Sequence, residues 1–292
     1  MKNKLNPILA LVICAVFWSC GGVLIKSIDW APMAITGGRS AIACLFIILV
    51  LRQKPIFYIT SNDNKKIDVK STFNLWMGAI CYSLTMILFV ASTKMTTAAN
   101  AVLLQYTNPI WIIIFSPFLL GEKNRKSDYL AVLGVLIGMF LFFAEDLEGG
   151  NLKGNILAAF SGITMGGMSI FMRRQKDFNP VCSFILSHIL TFAIAFPFFF
   201  EPIKNGATGI LCLIALGVIQ MGIPSIMYSI GIKKESALTS MLISMLEPIM
   251  NPVWVMLIVH EKPSFSAIVG GLIILSTIII RGYIQNKIPR KI

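Results

Sequence analysis

Charge is what this 292-residue sequence has least of: Asp, Glu, Lys and Arg make up 13% of it, against about 25% in ordinary soluble domains. Hydrophobic residues make up 56%. A water-soluble fold has too little polar surface here to cover its apolar atoms, so lipid must be the solvent. Other absences exclude chemistry. There is no His-Glu-x-x-His helix, no Walker-type glycine-rich loop and no Gly-x-Ser-x-Gly elbow. No ATP-hydrolysing domain is therefore present in the sequence, and any energy source must be a gradient or an exchanged solute. Only two histidines occur. The six cysteines (Cys14, Cys20, Cys44, Cys81, Cys182, Cys212) lie inside apolar stretches without metal-ligand spacing. They read as small packing residues, and neither metal nor cofactor is expected. No small-residue cleavage site ends the first apolar run, so it reads as a retained helix.

What is present is a series of long apolar runs. A helix needs about 20 apolar residues to cross the hydrocarbon core, and ten runs approach that length: 6–26, 32–51, 73–92, 97–119, 127–144, 154–172, 181–200, 207–230, 236–259 and 264–283. The connecting loops are short, so neighbouring helices run antiparallel. Of the 25 Lys and Arg, eighteen fall at the two termini and in one alternate set of loops, four in the other set, and Lys26, Arg39 and Arg281 lie within the first, second and last runs. Cytoplasmic loops carry the excess of Lys and Arg, so both termini are expected in the cytoplasm. The net charge of +12 would suggest nucleic acid in a soluble protein. Membrane topology accounts for it here, and no nucleic-acid partner is expected. The expected fold class is an all-α integral membrane protein with ten transmembrane helices, multi-pass in the cell (inner or plasma) membrane.

The sequence also repeats itself. At an offset of 148, Ile8-Leu9-Ala10 meets Ile156-Leu157-Ala158, and Asp29-Trp30-Ala31-Pro32 meets Asp177-Phe178-Asn179-Pro180. Further on the offset becomes 139: Gly78 meets Gly217, Lys94 meets Lys233, Pro109 meets Pro248, and Glu122-Lys123 meets Glu261-Lys262. Two units, 1–148 and 149–292, thus hold five runs each. An odd number inverts the second unit relative to the first. Inverted repeats are a transporter architecture, because two similar halves can exchange conformations and so open a cavity to either side.

Polar groups at membrane depth mark candidate sites. Pro109, Pro224 and Pro248 each free the carbonyl four residues earlier, at Gln105, Gln220 and Ser244. These polar residues either line a midplane cavity or repair local kinks. Ser240, Ser244 and Glu247 are spaced to share one helical face, and their repeat partners are Ala101, Gln105 and Asn108. Glu247 sits halfway along its run, where an ionised carboxylate costs several kcal/mol. It reads either as a proton-coupling or counter-charge group or as a structural hydrogen-bonding one. Arg39 can take a substrate carboxylate, pair with an acid such as Glu247, or snorkel to the interface. His188 reads as a proton relay or as a packed, satisfied side chain. Trp18, Tyr82 and Tyr228 lie deep enough to stack on a planar or cationic solute, with core packing as the alternative. Glu122 and Glu261 end their runs against the helix dipole, as gate elements or as interface ion pairs. Gly134-x-x-x-Gly138 and Gly162-x-x-x-Gly166 permit close helix contact.

These residues carry a resemblance. Pro32 leading to Arg39, Thr97-Ala98-Ala99-Asn100-Ala101 leading to Pro109, Gly121-Glu122, Ser236-Ala237 leading to Glu247-Pro248, then Glu261 and Gly270-Gly271, resemble the EamA-type ten-helix exporters of the drug/metabolite transporter superfamily. Ser187 stands where an equivalent of Arg39 would fall in the second half. The resemblance implies a basket of the first four runs of each half around a central cavity, the fifth and tenth being peripheral. It implies export of amino acids, related metabolites or drugs by proton or solute exchange. Import or exchange of a small nutrient such as choline or a nucleoside is the alternative. An intramembrane lipid-modifying enzyme or a membrane sensor is a rival of another class. Candidate substrate-binding residues are Trp18, Arg39, Tyr82, Asn100, Gln105, Gln220, Tyr228 and Ser244, with Glu247 and His188 for coupling. The expected partners are a small-molecule substrate, the bilayer and protons, with the chain as monomer or homodimer.

Overall fold

Apolar runs with no water to bond their backbone must satisfy it internally, and helices do so. The structure, a computed structural model, describes residues 5–26, 28–60, 66–147, 151–200, 206–259 and 264–287. Helices account for about four-fifths of them; among the described residues the only β pairing is an isolated antiparallel bridge between Thr60 and Ile67. The elements are α1 (Pro7–Ser19), α2 (Gly21–Lys26), α3 (Pro32–Leu51), α4 (Val69–Met95), α5 (Ala98–Gln105), α6 (Asn108–Leu120), α7 (Lys126–Phe142), α8 (Leu152–Arg173) and α9 (Val181–Ala195). After a tight turn at Phe196–Phe200 come α10 (Gly206–Ala215), a π-helical segment Leu216–Gly222, α11 (Ile223–Lys234), α12 (Ala237–Ser244), α13 (Leu246–Val259) and α14 (Phe265–Lys287). Seven segments of 20–29 residues are long and apolar enough to cross a membrane, and Pro7–Ser19 and Ala237–Met250 are shorter apolar helices.

The molecule is apolar outside, and its largely apolar interior also holds many polar side chains. Leu49, Phe118 and Leu130 stand 73%, 84% and 67% exposed, which suits a lipid surround. Buried among the helices are Ser83, Thr85, Ser161, Ser169, Ser183, Ser187, His188 and Ser225. Polar groups placed inside bond across helices: the Thr191 hydroxyl donates to Ser83 Oγ at 2.9 Å, and Gln175 Nε2 donates to the Asn74 carbonyl at 3.0 Å.

Three apolar runs that read as single helices are broken. Pro109 has no N–H for the Gln105 carbonyl, so α5 stops at Gln105 and α6 restarts at Asn108. Pro248 has the same effect on Ser244, ending α12 there. The break places Glu247 beyond the helix carrying Ser240 and Ser244, which interrupts the polar stripe drawn from their spacing. The first run breaks at Cys20, between α1 and α2. Around Pro224 the helix widens instead: the Ile223 N–H bonds the Val218 carbonyl five residues back. α5 and α12 occupy the same eight-residue frame at the offset of 139, and each is N-capped by a hydroxyl, Thr97 to the Asn100 N–H and Ser236 to the Thr239 N–H, both at 3.1 Å.

Packing between the halves is reciprocal. α4, α5 and α6 pack on α8, while α11, α12 and α13 pack on α1. α3 packs on α9 and α7 on α14, each helix against its own repeat equivalent. Glycines permit the closest approaches. A Cβ at Gly138 would meet the Gly270 carbonyl at 2.9 Å, and one at Gly162 would meet the Gln105 carbonyl at 2.8 Å. The two glycine pairs thus seat α7 on α14 and α8 on the α5–α6 break.

Candidate functional site

Arg39 lies two turns into α3, in a seam that small residues allow to close. Gly37 and Gly38 lie against Ala195 and Leu213, and Gly217 lies against the Arg39 carbonyl. The side chain is 5% exposed, so it does not snorkel. Its Nη1 donates to Gln220 Oε1 at 3.1 Å. Its Nε is buried with no protein acceptor. Gln220 is carried by the π-helical segment, and its amide rests against Gly21 at the α1–α2 break.

Aromatic rings surround this pair. Trp18 and Tyr228 lie 5.6 Å apart between centroids, Phe184 stands edge-on to both Tyr82 and Tyr228 at 4.9 and 6.0 Å, and Tyr82 stands edge-on to His188 at 6.0 Å. The rings are held by their polar tips. The Tyr228 and Ser169 hydroxyls are 2.6 Å apart, and the Tyr82 hydroxyl donates to Met221 Sδ at 3.6 Å. His188 Nε2 is 3.3 Å from Ser225 Oγ, and its Nδ1 is buried with no partner. The Glu247 carboxyl lies beside the Tyr106 hydroxyl and on the same side of the cluster as Arg39. Among the described residues no direct ion pair joins them.

The structure therefore brings together Trp18, Arg39, Tyr82, His188, Gln220, Tyr228 and Glu247. Four helices of the first half (α1, α3, α4 and the α5–α6 break) face α9, the π segment, α11 and α13 of the second. Arrangements of this kind, with a cation, a carboxylate and rings between them, can hold a small molecule bearing separated charges.

Residues 5–144 and again 152–282 match the EamA-like transporter family. The chain belongs to this family. Three similar proteins show what surrounds it. An uncharacterized transporter of Clostridium kluyveri is 23% identical, with 95% of this chain and 93% of that protein aligned. A pseudopaline exporter of Pseudomonas aeruginosa is 21% identical over 92% and 93%. An aromatic amino acid exporter of Ancylobacter novellus is 24% identical over 66% and 68%. One solved crystal structure superposes with a TM-score of 0.80, covering 99% of this chain and all of that one at 18% identity, and so shares the fold. The protein is a multi-pass membrane transporter by family.

The remaining candidates of this EamA-family chain sit elsewhere. Asn100 donates its side-chain amide to Thr96 Oγ1 at 3.5 Å, at the start of α5. The Gln105 carbonyl freed by Pro109 accepts from Asn108 Nδ2 at 3.1 Å. The Ser244 hydroxyl donates to the Ser240 carbonyl at 2.9 Å. The Asn108 bond satisfies the carbonyl freed at the α5–α6 break, and the Asn100 and Ser244 bonds are made to residues four positions earlier in the chain. Glu122, just after the left-handed Gly121 (φ 69°) that closes α6, pairs with Arg173 Nε at 3.2 Å. The same guanidinium donates through Nη1 to the Ile232 and Lys233 carbonyls at 3.0 and 2.8 Å, so one side chain joins the ends of α6, α8 and α11. Glu261 lies outside the described residues.

Sequence reasoning did not assign Tyr106 to Glu247, nor did it find the buried pair of Asp128 and Arg281. Arg281 Nε and Nη2 reach Asp128 Oδ1 at 3.0 and 2.9 Å, and Nη1 reaches Thr239 Oγ1 at 3.2 Å. An acid within the fifth apolar run was the available signal.

Proposed function

We propose that the protein is a secondary active transporter that exports amino acids or related small metabolites by alternating access, driven by proton or solute exchange. The observation that carries this reading is the cluster of buried Arg39, Gln220 and Tyr106 with half-buried Glu247 and the aromatic rings, to which both halves contribute. A cation and an acid inside a membrane are expensive, and a zwitterionic solute seated between them recovers that cost by bonding to each. Trp18, Tyr82 and Tyr228 supply apolar faces for the rest of the solute. Its relatives named as a pseudopaline exporter and an aromatic amino acid exporter favour export of such molecules over an enzymatic or sensing role.

In this reading the chain crosses the cell membrane ten times with both termini in the cytoplasm. Units 1–148 and 149–292 are inverted repeats about an axis in the membrane plane. Tyr82 and Met221 support that axis: they are repeat partners at the offset of 139, and they touch. A residue meets its own equivalent only near a two-fold axis, as at a symmetric dimer interface. The broken helices α5–α6 and α12–α13 then swap roles as the site faces one side or the other. Glu247 serves as the coupling or counter-charge group, and the Glu122–Arg173 pair closes one gate.

Counterflow in proteoliposomes tests the proposal. Labelled amino acids, amines and nucleosides are offered to protein preloaded with each unlabelled solute, with and without a pH gradient. Saturable accumulation of an amino-acid class is the expected result. No accumulation of any solute by well-folded, correctly inserted protein would refute it.

A further inference from the structure

Between the C-terminal end of α3, the start of α9 and the last turns of α11 lies a half-open cavity of about 290 Å³. Val181 and Ile226 form apolar walls, Ser229 and Lys233 a polar side. Gln53 and Asn179 form a rim, joined to each other by a 3.2 Å bond from Asn179 Nδ2 to Gln53 Oε1. The cavity lies at the end of the bundle that carries Arg52, Lys54, Arg174, Lys176 and Lys234.

The polar side does not stop at the cavity. Met221, Ser225, Ser229 and Lys233 are spaced by four and share one face of the helix. The Ser229 hydroxyl donates to the Ser225 carbonyl and the Ser225 hydroxyl to the Met221 carbonyl, both at 2.7 Å. Ser225 Oγ also meets His188 Nε2, and the residue beside Met221 is Gln220, the partner of Arg39. The Ser225 and Ser229 side chains are nearly fully buried, so this face of the helix turns into the bundle and not to its outer surface. The backbone beneath Lys233 is pinned by Arg173 through the Ile232 and Lys233 carbonyls, and among the described residues no ion pair occupies its ammonium.

We infer that this cavity is an access subsite for a small solute bearing a carboxylate, which Lys233 recognises before the solute passes along the serine face of α11 to Arg39. The inference rests on the transport reading. A cation at the mouth and a second one at the centre give an anionic group two successive partners and turn cations away. A low-dielectric cavity with one sign of charge raises the local concentration of counter-ions by about tenfold or more.

The test uses the full-length protein in proteoliposomes carrying Ser229→Cys, read against the wild-type chain with its six cysteines. The probes are an anionic sulfonatoethyl methanethiosulfonate and a cationic trimethylammonioethyl methanethiosulfonate. With each rate divided by that reagent's rate with a free small thiol, the anionic reagent is expected to modify the Ser229→Cys protein about tenfold faster than the cationic one, and Lys233→Gln added to the same protein should abolish the preference. Three results would overturn the inference: no reaction with either charged reagent while Gln53→Cys at the rim reacts; a preference that survives Lys233→Gln; or reaction only with an uncharged lipophilic maleimide, which would mean lipid fills the groove. None of these readouts needs a transported solute. A protein that labels as expected but shows no counterflow keeps the subsite and loses the transport reading.

Discussion

Arg39 is the residue on which the site turns. It is buried, it has one acceptor in Gln220, and its Nε faces no protein partner. A hydrogen bond to a charged group contributes about 1.5–3 kcal/mol. Gln220→Ala should therefore destabilise the purified protein by an amount of that order, seen as a lower thermal midpoint. Gln220→Glu should hold Arg39 in place but compete with an incoming carboxylate, weakening solute binding without loss of the fold. Fluorescence-detected melting and a binding titration separate the two effects. A surface position gives a smaller prediction of known sign. Asp68 N-caps α4, and hydrogen bonds from the Ser71 hydroxyl and N–H hold its carboxyl below the usual range. The cap's stabilisation is fully present above the ordinary carboxylate pKa and is lost as the pH falls through the lowered value. Asp68→Asn keeps a capping oxygen and should remove that acid-side dependence from the melting curve.

Helix breaks and glycine seams decide what happens at the scale of elements. The α5–α6 break is stable because α8 covers it at Gly162, where a Cβ would stand 2.8 Å from one carbonyl and 2.9 Å from another. Overpacking a close contact costs about 1–3 kcal/mol, so Gly162→Ala should destabilise by that amount. Gly206→Ala, where a Cβ meets nothing within 4 Å, should not. The pair Asp128–Arg281 ties α7 to α14 and, through Thr239, to α12. Breaking a buried pair from one side costs about 3–5 kcal/mol, whereas replacing both partners by apolar residues of similar volume is often neutral. Asp128→Leu alone should therefore lose most folded protein, and Asp128→Leu with Arg281→Met should recover it. A double variant no better than the single one would show that the charges are not what joins these helices.

Over the whole molecule, hydropathy and charge revealed more than local detail did. The apolar runs and the repeat offsets were legible because lipid imposes long helices and because Pro109 and Pro248 recur in register. Prolines marked the breaks, but an uninterrupted apolar run cannot show that α5 ends at Gln105 or that the turn before Pro224 widens. The aromatic and charged members of the site were legible one at a time, as polar or ring-bearing residues at membrane depth. That Tyr106 meets Glu247, and Asp128 meets Arg281, depends on contacts between segments far apart in the chain, and no spacing encodes those. Asn100, Asn108 and Ser244 illustrate the converse: their polarity was visible, but the local groups they bond, the Thr96 hydroxyl and the Gln105 and Ser240 carbonyls, were not.

The central claim is that the cluster shared by the two halves is where a transported solute binds. The most direct test is counterflow of a solute moved by the wild type, repeated with Glu247→Gln and Arg39→Gln in proteoliposomes of matched, monodisperse protein. Removing a charge that a bound solute pairs with should cost about 2–5 kcal/mol, so both variants should lose counterflow by tenfold or more while still inserting and folding, Arg39→Gln with the lower midpoint that loss of its bond to Gln220 brings. Wild-type rates in both variants would contradict the claim and place the transported solute elsewhere in the molecule.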